Sequence, residues 1–167
     1  MFHTIDEFRT QWAWESEQTQ NVLDALTDAS LAQPIDAQSR TLGRLAWHVA
    51  QTVPEMMNKT GLAVGGLSEH DPVPATAAAI SAAYRAACVS LLEELASKWT
   101  DASLTTEDDM YDMRWTKAQT LGALIGHQNH HRGQMTVLMR QAGLRVPGIY
   151  GPAREDWAAW GMEPPVI

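Results

Sequence analysis

The stretch from Thr116 to Gly143, TKAQTLGALIGHQNHHRGQMTVLMRQAG, decides how this chain is read. Thr116 and Gln119 have the spacing of a capping box, in which a hydroxyl and a side-chain amide satisfy free backbone groups at a helix start. Leu121, Leu124, Ile125, Gln128, His131, Met135, Leu138 and Ala142 then extend a stripe at helical spacing, so a helix with one apolar face runs to Gly143. Three of the six histidines fall within it. His127 and His131 are four residues apart, which puts both imidazoles on one face a turn apart, close enough to reach one ion at about 2.0–2.1 Å.

Outward from this helix, the rest of the chain also reads as helix. Thr4 and Glu7 form a second capping-box pattern, followed by Ile5, Phe8, Trp12, Thr19, Leu23 and Leu26, which predicts a first helix from Thr4 to about Thr27. Glu15 and Ser16 interrupt its apolar stripe. The segment from Asp28 to Arg40 reads as a connection, and a second helix opens near Ser39 or Thr41 with Leu42, Leu45, Val49, Val53 and Met56 on one face. Pro54 inside it predicts a kink, and Gly61 a stop. After a Gly/Pro-rich loop, Ala75 to Trp99 is dense in helix formers, with Ile80, Tyr84, Ala87, Leu91 and Leu95 in a stripe. Residues 100–115, with acids at Glu107, Asp108 and Asp109, read as a long loop. A short helix over Arg154 to Trp160 is expected in the tail, packed across one end. The sum is a single all-α domain over 1–167, a four-helix bundle without strand-like alternation.

Composition narrows the function. With 167 residues, 45% hydrophobic and 19% charged, the chain has the balance of one folded domain rather than a disordered one. The net charge of −8 repels phosphate backbones and anionic lipid, so neither nucleic acid nor membrane is an expected partner. The most apolar long stretch, Pro74 to Leu95, carries Arg85, Glu93 and Glu94 and does not read as a membrane span. A single cysteine, Cys88, excludes an internal disulfide and reads as a small buried hydrophobe. With no signal-peptide pattern at the start, a cytoplasmic location is expected.

The histidines carry the chemistry. Two imidazoles alone make a weak metal site, and His48, at the edge of the second helix's apolar stripe, can supply a third from a facing helix. A hydrogen-bonded core histidine is the other reading of the same residue. His130 points about 100° away from His131 and belongs to the surroundings of the site or to the surface. His3 and His70 read as solvated. Gln128 follows His127 where a zinc protease has its catalytic glutamate, so protease chemistry is not expected. Three neutral histidines with water would make an open site, able to activate a bound water or thiol.

His48 with the run His127-x-x-x-His131-Arg132-Gly133-Gln134, followed by Leu138-Met139-Arg140-Gln141-Ala142-Gly143 and Pro147, resembles the DinB-like family of metal-dependent proteins. The resemblance spans the first helix to Pro147. It implies an up-and-down four-helix bundle with a long second-to-third connection, a divalent metal on His48, His127 and His131, and a homodimer. Members with known activity are similar to transferases and isomerases that use low-molecular-weight thiols. The implied function is therefore a metal-dependent protein, with thiol-dependent S-transfer to a small-molecule substrate as one activity. Hydrolysis of a small substrate and a non-catalytic metal-binding stress-response or interaction role are the alternatives. Imidazole suits zinc, nickel or iron.

Further residues are candidates around this site. Arg132 and Gln134 can orient ligands or a substrate anion, or simply pack. Glu15 and Thr19 can face a polar cavity around the metal, or mark a rotation of the first helix. Trp47, with Met56 and Met57, can line a pocket or belong to the core. Gly133 is expected to answer a close packing approach, since glycine inside a helix costs about 1 kcal/mol.

Overall fold

In a computed structural model that describes residues 1–68 and 70–166, the Thr4 hydroxyl accepts the Glu7 N–H at 3.1 Å and the Glu7 carboxylate accepts the Thr4 N–H at 3.2 Å. This reciprocal cap starts helix α1 (Ile5–Asp24). Helix α2 (Leu42–Asn58) is capped by Thr41 and continues through Pro54. Helix α3 (Ala77–Lys98) follows from Thr76, and the expected box of Thr116 and Gln119 opens helix α4 (Lys117–Gln141). Gly143, at φ +74°, takes the left-handed conformation just past its end, where glycine has no Cβ to clash.

The segment 100–115 is not the irregular loop that its lack of period suggests. A 3-10 turn over Asp101–Thr105 leads into an antiparallel hairpin of β1 (Glu107–Met110) and β2 (Met113–Thr116), with Asp108 opposite Trp115 and Met110 opposite Met113. Tyr111 and Asp112 both have positive φ, the backbone of a tight two-residue hairpin turn. The acids of β1 are answered locally. Arg114 pairs with Asp109 at 2.8 Å, and Lys117 with Asp108 at 2.7 Å. The 28–40 connection likewise contains a 3-10 turn, Asp28–Ala32, and the tail a third over Arg154–Trp160.

Apolar residues from all four helices, among them Phe8, Trp12, Leu45, Val49, Tyr84, Leu91, Leu121 and Leu138, form one contiguous core. Packed neighbours run α1, α3, α2, α4 around the bundle, so the connections from α1 to α2 and from α3 to α4 cross its diagonal. That order sets α2 against α4. Gln128 fixes the register by donating to the Val49 carbonyl at 3.0 Å, which brings the residue before each, His127 and His48, to the same level. Gly43 allows the 28–32 turn onto the start of α2, where a Cβ would lie 3.0 Å from the Leu31 carbonyl oxygen. No helix among the described residues is long and apolar enough to cross a membrane.

Candidate metal centre

His48 from α2 and His127 and His131 from α4 converge where the two helices face each other. The Nε2 atoms of His48 and His127 lie 3.3 Å apart, and those of His127 and His131 3.1 Å. One ligand nitrogen from each of the three falls within 4.8 Å of the others, and among the described residues no fourth histidine, cysteine or carboxylate joins the group. Two nitrogens bound at 2.0–2.1 Å to a tetrahedral ion lie about 3.3 Å apart, so the observed spacings suit a shared ion.

Their electrostatics favour the form that ligates. Burial is the main reason that His48 and His127 are held down to about 4, followed for both by the charge of His131. His131 is lowered too, by burial first, while its hydrogen bond to Gln134 opposes the shift. All three imidazoles are thus neutral at pH 7, with lone pairs available. Gln134 Oε1 lies 2.7 Å from His131 Nδ1, where it can accept that N–H and leave Nε2 as the lone-pair nitrogen. Nδ1 of His127 is buried without a hydrogen-bond partner among the described residues.

One side of the cluster opens into a cavity of about 600 Å³ between α2, α4 and the hairpin. Its walls include Arg40, Arg44, His48, Gln51 and Glu55 from the α2 side, Ala123 and His127 from α4, and Tyr111 and Trp115 from the hairpin, with Thr52, Met56 and His70 completing it. The Tyr111 hydroxyl donates to Glu55 at 2.7 Å and so ties the hairpin to α2.

Several expectations are redirected. Arg132 does not line this cavity. It is 1% exposed on the α1 side of α4, where it donates to the Glu15 carboxylate at 2.7 Å, the Thr19 hydroxyl at 3.1 Å and Asn129 at 2.6 Å. Glu15 also accepts from the Tyr150 hydroxyl at 2.7 Å. Glu15 and Thr19 therefore serve a buried ion-pair network, not a polar cavity around the metal. Trp47 is core, its indole N–H donating to the Asp71 carbonyl at 3.0 Å, and Met57 is fully buried. His130 is exposed, with its ring 4.8 Å from that of His131. Gly133 answers no close approach, since among the described residues a Cβ there would meet nothing within 4 Å. His70 is exposed as expected but forms part of the cavity wall. Cys88 is buried, and burial pushes its thiol up to about 12.

Sequence reading missed Arg40, Arg44, Gln51, Glu55, Tyr111 and Trp115. For α2 a signal was present: Arg44, His48, Gln51 and Glu55 recur at helical spacing as a polar stripe beside the apolar one. The hairpin residues had none, because their place depends on a strand pairing that the sequence does not announce.

Comparison with known proteins agrees with this architecture. A family model described as the DinB family matches residues 1–163. An uncharacterized protein, YrdA of Bacillus subtilis (strain 168), is 46% identical over 165 residues, covering 99% of both chains. The crystal structure of a DinB-like protein from Bacillus cereus ATCC 10987 is 48% identical, with a TM-score of 0.87 over 90% of this chain and 100% of that one. A DinB-like protein of Bacillus subtilis, YjoA, shares the fold at 17% identity and a TM-score of 0.68, over 88% of this chain and 99% of its own.

Proposed function

This chain belongs to the DinB family, and on that premise we propose that it is a divalent-metal protein whose three-histidine centre serves S-transfer from a low-molecular-weight thiol to a small electrophilic substrate. The observation that carries the proposal is the convergence of three neutral imidazoles, at 3.1 and 3.3 Å, on the edge of an open cavity. His48, His127 and His131 would hold zinc, nickel or iron, and the bound ion would supply Lewis acidity that favours the deprotonated form of a thiol or water.

The remaining work falls to the chain itself. Gln134 orients His131, Gln128 holds α2 and α4 in register, and the hairpin's Tyr111 and Trp115 form one wall of the cavity. In the transfer, the thiol gives up its proton to solvent, its sulfur forms a bond to the electrophilic carbon, and the leaving group departs with the electron pair of the bond that breaks. The open side favours chemistry over a purely structural ion, which would be closed by a fourth protein ligand. It also admits water, which makes hydrolysis of a small substrate the second reading. The proposal includes a cytoplasmic homodimer without a nucleic-acid or membrane partner, in keeping with the net charge of −8.

The test is thioether formation from cysteine and 1-chloro-2,4-dinitrobenzene by protein loaded with zinc, nickel or ferrous iron, beside His48→Ala. Metal-dependent product formation that the variant loses is the expected result. Metal uptake without acceleration, together with cleavage of p-nitrophenyl acetate, would favour the hydrolytic reading instead.

A further inference from the structure

The cavity over the histidines is cationic in a protein whose overall charge is negative. Of twelve lysines and arginines, eight pair with carboxylates among the described residues. Arg40 and Arg44 do not, and both line this cavity. The other two unpaired arginines, Arg9 and Arg154, are exposed and lie outside it.

Arg44 is held in place. One of its N–H groups donates to Gln51 Oε1 at 3.0 Å, and Gln51 is itself anchored through its amide nitrogen to the Ser68 carbonyl at 2.6 Å. Its other donors, and all of those on the Arg40 side chain, have no protein acceptor among the described residues. Arg40 is close enough for its charge to act on all three imidazoles. The acid in the same cavity, Glu55, is already matched by the Tyr111 hydroxyl at 2.7 Å and by Lys59 at 3.5 Å. Two guanidinium groups with donors unmatched among the described residues, beside a ligand-ready centre, suit a planar or tetrahedral oxyanion, which such forks bind in paired, charge-assisted hydrogen bonds. Met56 and Trp115 offer apolar surface for the part of the ligand in between.

We propose that Arg40 and Arg44 form an anion-recognition subsite, so that the small molecule reaching the three histidines carries a carboxylate or phosphate group at its far end. The thiol's place at the histidines rests on the function proposed above, whereas the anion subsite stands on the two arginines.

The experiment is calorimetric titration of zinc-loaded protein with 3-mercaptopropionate and with 2-mercaptoethanol, which differ in the anionic group. The parent is expected to bind the first about tenfold tighter or more, the scale of a charge-assisted contact. R40Q/R44Q, checked for an unchanged unfolding temperature, is expected to bind both alike. In metal-free protein, the Nε–Hε resonances of Arg40 and Arg44 are expected to shift on adding acetate or inorganic phosphate, and the stronger of the two identifies the group as a carboxylate or a phosphate ester. Equal affinity of the parent for both thiols with still arginine resonances, or a preference that survives R40Q/R44Q, overturns the subsite and leaves the metal centre intact. Arginine shifts in a protein that takes up no zinc would keep the subsite and overturn the three-histidine centre.

Discussion

His131 and Arg132 are consecutive residues of α4, about 100° apart around the helix, and they bury polar groups against opposite neighbours. Arg132 turns to α1 and finds complementary groups in the Glu15 carboxylate and carbonyl and the Thr19 hydroxyl, to which Asn129 of its own helix adds a further acceptor. His131 turns to α2 and finds two more imidazoles, with His127 at 3.1 Å and His48 beyond. The first cluster is complete within the protein, opposite charges matched at 1% and 3% exposure. The second gathers like groups that cannot all satisfy one another, since each neutral imidazole has a single donor and three of them converge here through Nε2. Polar groups that close on one another are architecture, whereas polar groups of one kind that converge on a single point are a place for a ligand.

The largest expected effect separates the two. Glu15→Ala leaves the Arg132 charge buried without its carboxylate and should lower stability by about 3–5 kcal/mol, measured by denaturant unfolding. Metal uptake by the folded fraction should persist, because the histidines do not depend on that pair. Zinc gives the next effect. At a hundredfold excess over its dissociation constant it should raise stability by about 2.7 kcal/mol in the parent, and by nothing measurable in His127→Ala.

Acid should act on the histidine side. With His48 and His127 at about 4, and His131 lowered as well, the folded metal-free protein binds fewer protons than the unfolded chain, whose histidines titrate near 6.5. Their contribution is therefore fully present above about pH 6.5 and is lost as the pH falls towards 4. Thermal unfolding across that window should show the slope in the parent and a flatter one in His127→Ala/His131→Ala. The smallest effect belongs to Gly133, one residue past Arg132. Open space around it means that Gly133→Ala should stabilise the helix by about 0.5–1 kcal/mol without changing metal uptake.

What the sequence revealed was local. The boxes of Thr4 with Glu7 and Thr116 with Gln119 act within one helical turn, and both form as read. The one-turn spacing of His127 and His131 likewise needs only a helix. The partnership with His48 needs the order of helices around the bundle, which periodicity does not carry and the family resemblance supplied. Arg132 shows the same gap, because its position on α4 leaves open whether it faces a cavity or α1, and only the packing puts Glu15 opposite it. The hairpin was hidden for another reason. Glu107, Asp108 and Asp109 have poor strand propensity, and what holds them is pairing with Arg114 and Lys117, not an apolar alternation.

The central claim is that three histidines from two helices hold one divalent ion, and metal analysis tests it most directly. Untagged protein, purified without added metal and then offered zinc, nickel or ferrous iron, should carry about one ion per chain. His127→Ala/His131→Ala, folded by circular dichroism, should carry almost none. A parent that binds no metal under any of these conditions, or a double variant that binds as much as the parent, would contradict the account.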